Sequence, residues 1–195
     1  MDNLVHGKLF KKALLLEYLT IVWNVFEGIA CVLLGIISGS ISLVAYGLES
    51  SIEVFASAVV VWDLKGGGKD KKREERALKL IGVAYLVVST YIFIEGAKSM
   101  IAGHHPDKSF LGIIFLVVTA FVMFTLGILK RNVGDKMKSA TILADGKFTL
   151  IDAALSTTVL VGLFFNALLG WWWMDQAMAL FLSGVAFREG LREIL

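Results

Sequence analysis

Six apolar stretches, each long enough to cross a bilayer, make up most of this chain. They run from about Ala13 to Ile37, Ser40 to Leu64, Ala77 to Ala102, Ser109 to Leu129, Ala140 to Leu169 and Trp171 to Ile194. A helix needs about 20 predominantly apolar residues to span the hydrocarbon core. The sequence therefore predicts an all-α polytopic membrane protein of six transmembrane helices, forming a single domain over residues 1–195. The charged share of 18% falls below the roughly 25% of a soluble domain. The 19 glycines suit a helical bundle, where small residues let helices approach closely. The basic segment from Met1 to Lys12 leads into the first stretch, and no small-residue cleavage site closes it. That stretch therefore reads as a retained span rather than a signal peptide. The single cysteine, Cys31, excludes an internal disulfide and a thiolate cluster.

Basic residues set the expected orientation. All but Lys98, Lys108 and Lys147 fall in the N-terminus, the segments Lys65 to Lys79 and Lys130 to Lys138, or the C-terminal Arg188 and Arg192. The positive-inside rule then places both termini in the cytoplasm, with Trp171, Trp172 and Trp173 in the outer aromatic belt and Trp62 at the inner end of its span. The basic balance is accounted for by this topology, so no nucleic-acid partner is inferred. The loop from Lys65 to Arg76 is the one flexible linker and reads as a solvated cytoplasmic segment, with anionic lipid headgroups as a sharper alternative. Its Gly66-Gly67-Gly68 run lacks the strand and helix that a phosphate loop requires.

Charged residues inside the spans carry the functional signal. Glu49 and Glu53 are one turn apart, on one face of the second span. A charge at membrane depth costs about 2.5–3.5 kcal/mol on insertion scales. Two like charges on one face need a cation, a proton or a water-filled cavity to be tolerated. At 1.5 Å per residue, both lie roughly 10–17 Å down, and Asp152 on the fifth span reaches a similar depth. Asn24 on the first span is also about midway, and Asp145 lies on the Asp152 face nearer the cytoplasm, with Thr149 between them. Carboxylate and amide oxygens are hard donors suited to divalent cations. Three carboxylates would over-neutralise a dication by one charge, which a proton can balance. Glu49, Glu53 and Asp152 are therefore the candidate metal ligands, with Asn24 and Asp145 as further ligands or pathway residues.

Other polar groups have plainer explanations. Glu27 and Glu95 are expected to pair with a lysine or a neighbouring helix, with Lys98 adjacent to Glu95. Asp145 has Lys147 nearby, and Glu17 reads as an interfacial residue near Lys12. His104 and His105 share a short outer loop, where such a pair is usually unremarkable. Asp175 falls in the N-cap region of the sixth span.

The segment Ser38 to Glu53 resembles the second-helix signature of the cation diffusion facilitators, a serine-rich entry followed by two acids four apart. Asp145 to Ser156 resembles the fifth-helix signature, Asn24 with Glu27 and Gly28 the first-helix pattern, and Gly170 to Asp175 the entry to helix six. The resemblance implies a proton-coupled exporter of a divalent metal, usually zinc, working by alternating access as a homodimer. It maps the metal site onto Glu49, Glu53 and Asp152. Phe148 stands where the family usually has a histidine, both second-helix acids are glutamates, and no cytoplasmic metal-sensing domain is expected after Leu195. An all-oxygen site leaves manganese or iron(II) open beside zinc. The expected partners are divalent metal, protons and the lipid bilayer; the alternative functions are a non-transporting metal sensor or scaffold, and a cation or proton channel. The expected location is the cell membrane, with no cofactor beyond the transported ion and no enzymatic activity.

Overall fold

The structure, a computed structural model, describes residues 2–66, 71–103 and 105–194. His104 of the histidine pair and residues 67–70 of the linker lie outside the described residues. The described residues form six helices: α1 (Asp2–Ser38), α2 (Ile41–Lys65), α3 (Lys71–Ala102), α4 (Phe110–Met137), α5 (Ala140–Leu169) and α6 (Trp173–Ile194). Serines start three of them. Ser40, Ser109 and Ser139 accept from the amides of Leu43, Gly112 and Ile142, satisfying donors that the first turn leaves free.

The bundle is built from three antiparallel neighbours in sequence or space: α1 with α2, α4 with α5, and α3 with α6. α2 also packs on α3, α5 and α6, while α1 meets α4. The α1–α2 contact rests on two glycines facing each other. A Cβ on Gly47 would stand 2.8 Å from the Val32 amide nitrogen and 2.9 Å from the Gly28 carbonyl oxygen. Neither is the movable end of a side chain, so any larger residue must push the helices apart. Gly146 against Arg131 and Gly190 against the Gly82 carbonyl give the other two pairs the same close approach.

The surface is largely apolar, and the interior combines apolar clusters with many buried polar groups. Val22, Phe121 and Ile101 are 69%, 74% and 88% exposed, whereas Glu17, Asn24, Glu49, Glu53, Lys130, Asp145 and Asp152 are fully or almost fully buried. In water this arrangement would be unfavourable on both counts. In lipid it places apolar side chains against acyl tails and lets polar groups find partners inside. Five helices are long and apolar enough to cross a membrane. α6 falls short because Asp175 and Gln176 open it and Arg188, Glu189 and Arg192 close it. Asp175 and Gln176 are nevertheless fully buried.

Four sequence expectations change. α3 begins at Lys71 rather than Ala77, so the second half of the expected flexible linker, Lys71 to Arg76, is helical. α1 begins at Asp2 and, at 37 residues, is about 55 Å long, well beyond a hydrocarbon core of about 30 Å. α4 continues past Leu129 to Met137, so Lys130 is a helical residue in the core and not part of a basic loop. Asp175 sits inside the first turn of α6, and its carboxylate serves α2 instead. It accepts from the Ser40 hydroxyl at 2.8 Å, the Ser42 amide at 3.2 Å and the Ser42 hydroxyl.

Replacing Gly47 by valine forces atoms into this contact, and overpacking of this kind costs about 1–3 kcal/mol. The thermal unfolding midpoint of Gly47→Val in detergent should fall clearly below that of wild type. Gly184→Ala is the control, because nothing lies within 4 Å of a Cβ there, and its midpoint should stay put. Equal midpoints for the two variants would mean that α1 and α2 do not pack through Gly47.

Candidate metal centre

The site is assembled by helical periodicity on two central helices. On α2, Tyr46, Glu49, Glu53 and Ser57 lie on the buried face. On α5, Asp145, Thr149, Asp152 and Ser156 do the same. These faces meet in the middle of the bundle, where α2 packs on α5.

The Glu49 and Asp152 carboxyls stand within hydrogen-bonding reach of each other. Both side chains are fully buried. None of their four oxygens has a hydrogen-bond partner of good geometry, although the Tyr85 hydroxyl, bound to Glu53, also lies close to Glu49. Two acceptor groups facing each other at low dielectric repel, and a buried charge left alone is costly. Only a proton or a cation between them removes that penalty. Glu53 is one turn away and engaged differently. Its Oε1 accepts from the Tyr85 hydroxyl, and its Oε2 lies 3.4 Å from the Thr149 hydroxyl. Glu27 carries the polar chain in the other direction, accepting from Ser50 at 3.2 Å and leaving Oε2 without a partner.

One turn along α2 from Glu53, toward the basic end of the bundle, the polar chain reaches Lys130. Its ammonium group is 3.0 Å from Glu17 Oε2 and is paired with Asp145 Oδ2. It also donates to Ser57 and Thr149, each at 3.3 Å. Lys130 on α4 thus binds groups from α1, α2 and α5. Thr149 touches both Lys130 and Glu53, so the lysine cluster and the acid pair share a residue.

The predicted residues are therefore not equivalent. Glu49 and Asp152 come together, with Glu53 adjacent but held by Tyr85. Asp145 pairs with Lys130 rather than Lys147, which binds Glu189 on α6. Asn24 is buried and donates to the Thr20 carbonyl at 3.1 Å, leaving Oδ1 unpartnered. Among the described residues, no three His, Cys, Asp or Glu side chains are gathered in metal-holding geometry. Glu17 is not interfacial but fully buried on Lys130. Glu95 does pair with Lys98, at 2.7 Å on the exposed face. His105 stacks on Trp172, with ring centroids 4.6 Å apart.

Sequence reasoning missed Lys130 and Tyr85. The buried face of α4 runs Leu116, Thr119, Met123, Leu126, Lys130, Val133, alternating steps of three and four. That spacing passes straight through Lys130, and extending it past the apolar stretch would have placed the lysine inside. Glu17, Thr20, Asn24, Glu27 and Cys31 repeat the same steps on α1, all buried. Tyr85 gave no comparable signal, since a tyrosine in an apolar span is ordinary.

Comparison with known proteins places this architecture. Residues 18–195 match the cation efflux transmembrane domain. The chain belongs to the cation efflux family. Magnetosome protein MamB of Paramagnetospirillum magneticum is 26% identical over 190 residues, covering 89% of this chain and 63% of MamB. An uncharacterized transporter of Synechocystis is 24% identical over 160 residues, covering 77% of this chain and 51% of that protein. Transmembrane protein 163 of Xenopus laevis is 20% identical over 190 residues, covering 95% of this chain and 67% of its own. The chain spans from about half to under two thirds of the MamB and Synechocystis relatives.

In this cation efflux domain Phe148 is committed to packing. It is fully buried, its ring stacks on Tyr85 with centroids 4.5 Å apart, and its neighbours include Ile52, Ala56, Ile81 and Ala186. A histidine there would be a buried polar group in an apolar cluster, costing about 1–3 kcal/mol. Phe148→His should therefore lose stability while the preference between zinc and manganese stays unchanged in a competition assay. A shift toward zinc would show that the residue turns into the site.

Proposed function

We propose that this chain carries a divalent metal cation, zinc, manganese or iron(II), out of the cytoplasm in exchange for protons. The observation that supports this reading is the facing pair of Glu49 and Asp152, buried at the centre of the bundle with no hydrogen bond of good geometry to either carboxylate. Their oxygens, joined by those of Glu53 once it turns from Tyr85, would make an all-oxygen donor set for a hard cation. With Phe148 in place of a nitrogen ligand and packed on Tyr85, the set loses the donor that most favours zinc. Both termini are taken as cytoplasmic from the distribution of basic residues. A homodimer with alternating access follows the family pattern, and the cell membrane is the proposed location.

Transport of metal against a pH gradient separates this reading from a scaffold, which binds without moving its ion, and from a channel, which needs no saturable exchange. In proteoliposomes, Glu49→Gln and Asp152→Asn should each abolish saturable metal uptake, with elution profile and helicity unchanged. Glu53→Gln should do the same if its turn toward Tyr85 reverses on binding. Wild-type rates in all three variants would put the site elsewhere.

Proton coupling has its own readout. The same oxygens serve proton and metal, so binding should weaken as pH falls and metal should release protons on entry. Titration calorimetry in two buffers of different ionisation enthalpy should count about one proton or more per metal bound. A heat independent of the buffer would remove the exchange mechanism and leave simple binding.

A further inference from the structure

We propose that Glu17 and Asp145 form a second cation site on the path to the Glu49–Asp152 pocket, occupied by the Lys130 ammonium as a tethered competitor. The inference deepens the transport reading and rests on it for the idea of a path. The cluster itself stands on its own geometry. Lys130 and both acids are fully buried, and the acids belong to different helices, α1 and α5. Glu17 Oε1 and Asp145 Oδ1 have no hydrogen-bond partner. Ser57 and Thr149 bring two hydroxyls to the same ammonium.

Charge and donor count both favour a dication over the lysine. Two carboxylates around one ammonium leave a net negative charge at low dielectric, which a divalent ion would cancel. An ammonium has three protons to give, fewer than the oxygens turned toward it. Four carboxylate oxygens and two hydroxyls match the oxygen-rich shell of a hard divalent cation. The charged or titratable groups around the cluster are Glu17 from α1, Glu53 from α2 and Asp145 from α5. A metal arriving from the basic end meets Glu17 and Asp145 before Glu53. Displacing the ammonium from Asp145 also frees Thr149, which then has only Glu53 and its own helix to bind. The second site would in this way hand its ion to the first.

The test counts Mn2+ bound to the purified full chain in detergent, with Mn2+ as the only added metal. Lys130→Gln removes the competitor. At a Mn2+ concentration that just saturates the central pocket of wild type, it should bind about one Mn2+ per chain more than wild type, since a divalent ion can take up the vacated oxygens. That gain should vanish in Lys130→Gln/Asp145→Asn and persist in Lys130→Gln/Glu49→Gln. A folded Lys130→Gln with no gain, or a gain that survives Asp145→Asn, overturns the proposal. Should Lys130→Gln not fold, wild type decides. Excess Mn2+ should then add a second, weaker equivalent that Asp145→Asn removes and Glu49→Gln keeps, and saturation without it overturns the proposal. Failure of the central pocket looks different: the equivalent sensitive to Glu49→Gln is missing, whatever Lys130→Gln does.

Discussion

An imbalance of charge in the interior organises this protein. Glu17, Glu27, Glu49, Glu53, Asp145 and Asp152 are buried in the bundle, and Lys130 is the one buried lysine or arginine among the described residues. Water cannot reach these groups to screen them, and lipid offers no counter-charge. A fold that buries more negative charge than its own cations can answer must recruit positive charge from outside. For a member of the cation efflux family, that requirement is what the proposed transport of a cation would meet. Both oxygens of Glu49 and both of Asp152 are among the acceptors left unsatisfied.

The same interior holds the helices in register. At one end, Asp175 of α6 grips Ser40 and Ser42 at the start of α2. At the basic end, Lys130 of α4 ties α1, α2 and α5 together through Glu17, Ser57 and Asp145. The acid pair lies between these two ties. Both are polar clusters whose partners come from different helices, so helix movement at either end must break hydrogen bonds or ion pairs. The apolar exterior imposes no such constraint, because lipid follows a sliding helix at little cost. Any movement of these helices is therefore resisted from inside, by buried polar contacts rather than by the apolar exterior.

Packing between helices sets the precision of the site. Gly28 against Gly47 brings the α1 and α2 backbones close. With α1 so near, Ser50 of α2 reaches Glu27. Phe148 behind Tyr85 holds the phenol against Glu53. Apolar contacts thus aim polar groups, and a change in the former moves the latter without touching a ligand.

The sequence by itself determined six helices, their membrane setting and the acids of α2 and α5, because hydropathy and helical spacing are local properties summed along about 20 residues. It also put Asn24 and Glu27 on one face of α1, three residues apart, but read Glu17 as interfacial. Only the tertiary structure decided the partners. It turned Lys130 from a loop residue into the counter-ion of Glu17 and Asp145, sent Lys147 to Glu189, gave Asp175 to α2 and set Phe148 on Tyr85. Which side chains meet depends on how far each helix is rotated and how closely it approaches its neighbours. Those quantities come from packing between segments distant in the chain, and no window along the sequence contains them.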